Sequence, residues 1–284
     1  MTVHVVMPVF NRLELTKTFI ECLNTQDVDE PINLVVVNDA SSDGTEEYLN
    51  SQPDVTVLQG DGNLWWGGSI DLAFRYVFSK AKNDDWVLLA NNDTQYKSNF
   101  IQTLLDTARH NMPSAVGSVM RHEDAPHNII SISTKIDSWW MLVSNTVVSE
   151  VTTPEVNKTI DVLEVDALSG RGVLYPVSVL KKVKGMRSGF LPHYLADYEL
   201  SLRVKKAGCN LLVDTKSVVY SKDEFGNTKQ ASSLFKKLFS VRSPSYLPAV
   251  IVFWWEASSW MQRLTFPLRL AIFITFPKLR GARR

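Results

Sequence analysis

The sequence predicts an α/β protein with a mostly parallel central sheet, helices on its faces and a C-terminal helical tail. Short β-branched or apolar runs alternate with amphipathic stretches through the first 110 residues. One run, Leu34–Val37, is apolar throughout, as in a strand that is covered on both faces. Alternation at this spacing indicates βαβ units, in which helices connect parallel strands.

The first half carries four strand–helix pairs. Val3–Val9 is a β-branched run bounded by Pro8 and Asn11, and the cap and turn residues 38–44 begin a short helix that ends near Leu49. Strands are predicted at 3–9, 34–37, 55–58 and 86–90, with further helices at 13–23, 68–81 and 98–110. After Val119 the regularity fades, and the pattern predicts strands at 129–133, 139–148 and 167–175, and a helix at 196–207.

From Ser232 onward the composition becomes basic, aromatic and helical. We therefore expect a boundary near residue 228, with an α/β domain at 1–228 and a tail at 229–284. The domain divides into halves of about 1–120 and 121–228. The sequence contains no repeat with a period of 20 to 50 residues.

Composition excludes several classes of protein. The 284 residues hold 30 basic and 30 acidic side chains, and a balanced charge argues against a general nucleic-acid binder. Cys22 and Cys209 are too far apart for a zinc motif or a disulfide framework, which favours a reducing compartment. The sequence shows no export signal and no run of about 18 apolar residues, so we expect a cytoplasmic protein.

Polar residues follow three of the predicted strands, where an open parallel sheet binds its ligands. Asn11 and Arg12 follow the first strand, Asp39 the second and Asp93 the fourth. Each aspartate alone could instead cap a helix or form a turn. Their convergence at one edge predicts a ligand site.

The usual phosphate-binding loops are missing from the sequence. It has no G-x-x-x-x-G-K-[ST], and no G-x-G-x-x-G follows the first strand. A diphosphate would therefore need a divalent cation, and oxygen ligands such as Asp93 suit Mg²⁺ or Mn²⁺.

The ordered motifs of residues 3–220 resemble the inverting glycosyltransferases of family 2, which have the GT-A fold. They are Met7-Pro-Val-Phe-Asn-Arg12, Val37-Asn-Asp-Ala-Ser-Ser-Asp-Gly-Thr45, Asn63 with Gly67-Gly68, Leu89-Ala-Asn-Asn-Asp-Thr94, Ser169-Gly-Arg-Gly172 and Ala196-Asp-Tyr-Glu-Leu-Ser-Leu-Arg203. The resemblance implies a catalytic domain at 1–228, with a nucleotide-binding half at about 1–120 and an acceptor half at about 121–228.

The resemblance also implies roles for individual residues. Asp39 would accept a hydrogen bond from the imide N–H of uracil or thymine. Asp93 would hold the divalent cation, with Asn91 where many members have an aspartate. The remaining nucleotide contacts would come from Pro8, Phe10, Asn11, Arg12, Asn63 and Asn92.

Asp197 matches the family's catalytic base. It lies in the first turn of its predicted helix, and a helix N-terminus favours an ionised carboxylate, so a helix-start acid with no catalytic role is the alternative. Glu199 is the second candidate for the base, or pairs with Arg203 one turn on.

Other residues near these motifs leave alternatives open. Trp65 and Trp66 are core residues or walls of the sugar pocket, and His193 is packed or contacts a substrate. Gly170 and Arg171 would lie beside the donor or acceptor sugar. Ser221 stands where many members have a metal-binding His, and Asp223 could replace that ligand.

The tail is strongly basic although the whole chain has zero net charge, so the rest of the chain is acidic. From Lys229 to Arg284 the sequence has ten Lys or Arg and one acid, Glu256. Its aromatic runs are too apolar for a solvated nucleic-acid groove, but they suit helices at a membrane interface. The alternative is that the tail packs on the catalytic domain or on another subunit.

We therefore expect a glycosyltransferase that uses a UDP- or dTDP-sugar, with Mg²⁺ or Mn²⁺, on a surface polysaccharide or lipid-linked acceptor. We expect the protein to act at the inner face of the cell membrane, with peripheral contact through the tail. The sequence is also compatible with an oligomer. The Asn91 and Ser221 substitutions raise the alternative of a non-catalytic nucleotide-sugar-binding scaffold. A sugar nucleotidyltransferase is disfavoured because the first strand lacks a Gly-rich triphosphate loop.

Overall fold

The computed structural model describes residues 1–146, 161–222 and 233–275. The expected first half is confirmed as alternating strands and helices. These elements are β1 Val3–Val9, α1 Leu13–Asn24, β2 Ile32–Asn38, α2 Thr45–Asn50, β3 Val55–Gln59, α3 Trp65–Lys80, β4 Trp86–Leu89, β5 Thr94–Tyr96, α4 Phe100–His110 and β6 Ser114–His122.

The second half is mixed. Its elements are β7 Ile129–Ser131, β8 Ser133–Asp137, β9 Leu142–Thr146, β10 Val162–Glu164, β11 Val173–Pro176, α5 Val177–Lys182, α6 Ala196–Lys206 and β12 Asn210–Ser221. Four tail helices follow, namely α7 Leu234–Phe239, α8 Leu247–Ala257, α9 Trp260–Leu264 and α10 Phe266–Thr275.

One large sheet has the order β10-β12-β6-β11-β4-β1-β2-β3. β1 is parallel to β2 and β4, and β2 is parallel to β3, so the carboxyl ends of these strands point to one edge. β11 runs antiparallel between β4 and β6, while β6 and β12 are parallel. β8 and β9 form a separate antiparallel hairpin.

Both faces of the sheet are covered, which explains the continuous apolar strands. In β2, Val35 and Val37 face one core cluster, and Leu34 and Val36 face the other. The first cluster packs against α3, α6 and α8, and the second packs against α1 and α4. Helices therefore support the sheet on both faces.

Three predicted boundaries are wrong in informative ways. α3 begins at Trp65 rather than Gly68, so the tryptophans form its first turn. The predicted strand at 167–175 is reduced to β11, because the Gly-containing segment before it forms a loop with Gly172 at φ 79°. Trp139 and Trp140 form the β8–β9 turn rather than a strand, and the predicted strand end at Val148 lies outside the described residues.

The tail helix α8 packs onto α6. Its Phe253 and Trp254 are buried in the same core cluster as Leu200 and Val204 of α6. Glu256 at its end contacts Lys206 at 2.7 Å. These contacts agree with the packing alternative for this part of the tail. The expected boundary near residue 228 lies outside the described residues.

Candidate active site

The loops after β1, β2 and β4 meet at one edge because these strands are neighbours in the sheet. Arg12 joins the first and third loops, since its Nη1 lies 3.2 Å from Asp93 Oδ2. The second loop is joined to the start of α3 by Asp39. The predicted convergence of these loops is therefore present.

The loop after β1 has an unusual backbone. Asn11 and Arg12 adopt φ values of 58° and 67°, the left-handed region that side chains with a Cβ disfavour. Asn11 is held in place because its N–H donates to Ser41 Oγ at 2.8 Å and its Oδ1 accepts from Ser42 N at 2.9 Å. Such strain is typical of functional loops. The loop presents Phe10 to solvent, while Pro8 remains within β1.

Asp39 organises the loop that leads into α3. Its Oδ1 accepts from Gly62 N at 2.8 Å, and its Oδ2 accepts from Leu64 N at 3.0 Å and Trp65 N at 3.3 Å. The cap alternative therefore describes one role of this carboxylate. Each oxygen can accept two bonds, so Oδ1 retains acceptor capacity for a ligand.

One predicted nucleotide residue, Asn92, points into the protein, and another, Asn63, lies exposed in a turn. Asn92 is buried, and its Nδ2 donates to Thr16 Oγ1 of α1 at 3.1 Å. Asn63 is exposed in the 60–64 turn, where its N–H donates to Asp61 Oδ1 at 2.9 Å. The side chain of Asn92 thus stabilises the β4 loop against α1, because its amide is turned into the protein.

Asp93 has an oxygen available for a cation. Among the described residues nothing donates to its buried Oδ1, while Oδ2 pairs with Arg12. In that same part of the chain no three His, Cys, Asp or Glu side chains cluster as a metal site. The site therefore fits a cation such as Mg²⁺ or Mn²⁺ that takes one carboxylate and completes its shell with phosphates and water.

A cavity of about 270 Å³ opens beside this edge. Six residues predicted from the sequence line it, namely Trp66, Asn91, Gly170, Arg171, His193 and Asp197. The other lining residues include Met120, Ser131, Asn145, Tyr194, Tyr198 and Pro244. The cavity thus brings the expected base together with Asn91 of the loop after β4.

Asp197 is held by backbone donors at the start of α6. Its Oδ2 accepts from Gly170 N and its Oδ1 from Tyr198 N, both at 2.9 Å. Burial raises the pKa of the Asp197 carboxyl above its ordinary value, although these two N–H groups act against the shift. The helix N-terminus predicts the opposite direction, so burial outweighs it. A raised pKa makes the carboxylate a stronger base.

Trp66 connects the two sides of the cavity. Its Nε1 donates to Asn91 Oδ1 at 3.0 Å, and its ring fills the space beside Gly170, where a Cβ would lie 2.3 Å from the indole. Gly67 permits an equally close approach, since its N–H donates to Pro192 O at 2.7 Å. Trp66 therefore packs against Gly170 and also lines the cavity. This position is compatible with both predicted roles, a core residue and a wall of the sugar pocket.

His193 and Arg171 are two further polar residues that line the cavity. Burial lowers the pKa of His193, and among the described residues its buried Nδ1 takes no hydrogen bond. Arg171 Nη1 lies 3.4 Å from Ser221 Oγ. Ser221, at the position where many family members have a metal-binding His, thus contacts a guanidinium, and Asp223 lies outside the described residues.

Glu199 is wrongly expected at the sugar site. It is buried on the other side of α6, where Oε1 and Oε2 accept from Arg203 Nε and Nη2, both at 2.8 Å. Arg187 Nη1 lies 2.9 Å from the same carboxylate. The pairing alternative with Arg203 is the arrangement observed.

Several residues at the site escaped sequence analysis. Tyr198 donates its hydroxyl to Asn145 Oδ1 at 3.3 Å, and burial raises its pKa to about 12. Arg242, from the segment between α7 and α8, lies 5.4 Å from the centroid of the Trp65 ring. Tyr198 stands next to the predicted base and could have been found from that position. Asn145 and Arg242 come from distant segments and carry no motif.

Solved structures share this architecture. GalNAc-T7, solved with UDP, GalNAc and Mn²⁺, has a TM-score of 0.64 at 13% identity over 78% of this chain and 44% of its own. The mannosyltransferase PcManGT from Pyrobaculum calidifontis, solved with GDP-Man and Mn²⁺, has a TM-score of 0.54 at 13% identity over 97% of this chain and 81% of its own. The fold is the GT-A fold, as the sequence predicts.

The chain belongs to glycosyl transferase family 2, whose model matches residues 4–157, more than half of its length. A curated relative is the N-acetylglucosaminyl-diphospho-decaprenol L-rhamnosyltransferase of Mycobacterium tuberculosis, from two strains. It is 29% identical over 104 residues, which span 34% of this chain and 34% of the relative. Family membership confirms the resemblance and the expected class of enzyme, a glycosyltransferase.

Proposed function

We propose that the protein is an inverting glycosyltransferase that moves a deoxyhexose of the rhamnose type from a dTDP- or UDP-sugar to a hydroxyl of a lipid-linked glycan precursor. The observation that carries the proposal is Asp197, a partly buried carboxylate of raised pKa in the wall of the cavity that Asn91 also lines. The rhamnosyl specificity is supported by the activity that the Mycobacterium tuberculosis relative is named for.

Inversion requires the acceptor hydroxyl to attack the anomeric carbon from the side opposite the leaving diphosphate. Asp197 takes the hydroxyl proton, and the N–H groups of Gly170 and Tyr198 hold its two oxygens in a fixed orientation. Trp66 closes the cavity beside Gly170 and restricts water around the sugar. Asp197 is thus a catalytic residue and Gly170 a positioning residue.

The donor diphosphate lies next to Asp93 in this proposal. A bound Mg²⁺ or Mn²⁺ would neutralise the charge that develops on the leaving phosphates. Asp93 would hold that cation, since its Oδ1 takes no hydrogen bond among the described residues, and Arg12 keeps the carboxylate in place through Oδ2. Two solved structures of similar fold, both containing Mn²⁺, support this assignment.

The nucleotide base lies over the loops after β1 and β2. Phe10 offers an exposed ring on which a base can stack, and Asp39 Oδ1 retains capacity for an imide N–H. An acceptor-only carboxylate at that place suits the imide N–H of uracil or thymine. Asn11 fixes the loop between them.

The acceptor and the cellular location belong to the same proposal. The relative's name specifies an acceptor attached through a diphosphate to decaprenol. A lipid of that kind places the reaction at the inner face of the cell membrane, where the tail makes peripheral contact. Within the described part of the chain, no helix is long and apolar enough to cross a bilayer.

The test is a panel of nucleotide sugars, including dTDP-rhamnose and UDP-hexoses, with a diphospholipid-linked N-acetylglucosamine acceptor. We expect release of nucleoside diphosphate, an acceptor product of inverted anomeric configuration and loss of both with EDTA. Nucleotide binding by calorimetry without turnover of any donor would reject the enzyme in favour of the scaffold alternative. Asp93→Ala should weaken Mn²⁺-dependent nucleotide binding, whereas Asp84→Ala, at an exposed residue before β4 on the opposite edge of the sheet, should not.

A further inference from the structure

We propose that the protein binds anionic bilayers through one apolar face that the tail and the catalytic domain build together. This lipid face rests on the proposed function for its purpose, and it refines the tail contact proposed there into a defined surface. It consists of Trp139, Trp140, Trp260, Leu264, Leu268 and Ile272.

The tail part of the lipid face is a stripe along α9 and α10. Leu264, Leu268 and Ile272 recur every four residues and are 75%, 66% and 44% exposed. The opposite side of α10 packs inward through Phe266 and Arg269. Charged residues normally cover an exposed helix face, but here the exposed positions are apolar. The stripe therefore has the pattern of an interfacial helix.

The catalytic domain adds the β8–β9 turn. Trp139 and Trp140 are 55% and 58% exposed there. Arg269 donates to Ser138 O and lies 5.8 Å from the centroid of the Trp139 ring. Ser138 Oγ in turn donates to Ala257 O at 2.8 Å. These bonds fix the turn against the tail, so two distant segments form one surface.

The acids near the lipid face are engaged, and the sequence that follows α10 is basic, a combination that suits anionic headgroups. Glu256, the one acid between 229 and 284, is paired with Lys206 at 2.7 Å and Arg187 at 3.0 Å. Asp137 is engaged by the N–H groups of the two turn tryptophans. Directly after α10 the sequence continues with four basic residues and no acid, namely Lys278, Arg280, Arg283 and Arg284.

A lipid surface fits this composition better than a second copy of the chain does. In a twofold dimer the same patch meets itself, which would bring the basic residues of two tails together. A bilayer instead offers acyl chains to Leu and Trp, and phosphates to Lys and Arg. Charge complementarity therefore favours the anionic bilayer.

The lipid face is linked to the cavity by a single strand. β9 runs from the turn to Asn145, which lines the cavity and contacts Tyr198. Asn145 lies three residues beyond Leu142, the first residue of β9, which is about 10 Å along the strand. This distance suits an acceptor sugar attached through a diphosphate to a lipid in the same bilayer.

The experiment is flotation of the full chain with vesicles of phosphatidylcholine alone or with phosphatidylglycerol. The variant L264E/L268E places two carboxylates on the lipid face, and Met112→Glu, at an exposed apolar residue between α4 and β6, is the matched control. We expect wild type and the control to float with anionic vesicles, with binding weakened by salt. The double variant should lose at least about tenfold in vesicle binding.

Two further measurements separate the possible failures. If the double variant floats like wild type, the lipid face is refuted. If wild type does not float but elutes as a dimer that the double variant converts to a monomer, the face is a contact between copies and the proposal is overturned. Transfer to a water-soluble acceptor should be equal in all three proteins, and its absence from all three would refute the proposed function without altering the flotation result.

Discussion

The loops after β1 and β2 differ from the start of α6 in what their polar side chains do. After β1 and β2, the side chains of Asn11 and Asp39 accept from backbone N–H groups of neighbouring loops and hold those loops in place. At the start of α6, Asp197 also accepts from two backbone N–H groups, but burial raises its pKa, and burial lowers the pKa of His193 nearby. The first region therefore fixes the backbone, and the second holds groups whose pKa values are shifted. Perturbed groups in a cavity mark the place of the chemistry.

The same contrast recurs within one helix turn. Asp197 and Glu199 are two residues apart in α6, and they point to opposite sides. Asp197 enters the cavity, whereas Glu199 is neutralised by Arg203 and Arg187. Asp197 is therefore accessible from the cavity, whereas Glu199 stabilises the fold through its ion pairs. Substituting each carboxylate in turn tests this difference.

The largest expected effect comes from Asp197→Asn. An amide cannot take the proton of the acceptor hydroxyl, so transfer should fall about 10²–10⁴-fold. Nucleotide binding should persist because Asp197 lies apart from the loops after β1 and β2. Transfer assays and calorimetry with the nucleotide measure the two quantities. Normal transfer by this variant would remove Asp197 from the mechanism.

Glu199→Ala should instead destabilise the protein. Removing one partner of a buried ion pair leaves Arg203 uncompensated and costs about 3–5 kcal/mol of unfolding free energy. Glu164→Ala is the control, since its exposed pair with Lys205 at 3.7 Å contributes about 0–1 kcal/mol. Urea unfolding measures both variants. If folded Glu199→Gln loses as much transfer as Asp197→Asn, the assignment of the base is reversed.

The pH dependence of kcat/KM tests whether Asp197 is the group that must be ionised. Asp197 acts as a base only when ionised, so kcat/KM should fall about tenfold per pH unit as the pH drops below its pKa. Because burial raises that pKa, the limb should lie above the ordinary value of 3.8. His193, whose pKa is lowered from 6.5, could titrate in the same range. The limb should persist in His193→Gln and disappear from the residual activity of Asp197→Asn; the reverse result would assign it to His193.

Trp66→Phe should have the smallest effect. It removes the bond from Nε1 to Asn91 but keeps a ring beside Gly170, at a cost of about 1 kcal/mol, or roughly fivefold in the KM of the donor. The exposed turn variant Trp140→Phe should leave this KM unchanged with a soluble acceptor. A thermal midpoint that falls while KM stays constant would make Trp66 a purely structural residue.

The parallel half of the fold was accessible from sequence because local patterns determine it. β1, β2 and β4 are mostly apolar, and the polar residues after them identify the ligand edge. The start of α3 was missed because Gly67 resembles a turn signal, although it is needed for close approach to Pro192. The glycine requirement depends on a contact more than 100 residues away in the chain.

Within the site, motif residues were predicted and their partners were not. Asp197 was recognisable from its surroundings in the sequence, but the direction of its pKa shift depends on burial by segments distant from it. Asn145 and Arg242 reach the site through the β8–β9 hairpin and the tail. Long-range packing of this kind leaves no local periodicity to read.

The buried side of α8 has a practical consequence for handling this protein. Because Phe253 and Trp254 cover Leu200 and Val204 of the helix that carries Asp197, a chain shortened before α8 would uncover apolar surface beneath the proposed base. Such a truncation would lower activity and solubility together, even with a soluble acceptor. Solubility is better improved by single polar substitutions on α9 and α10, which leave the support of α6 in place.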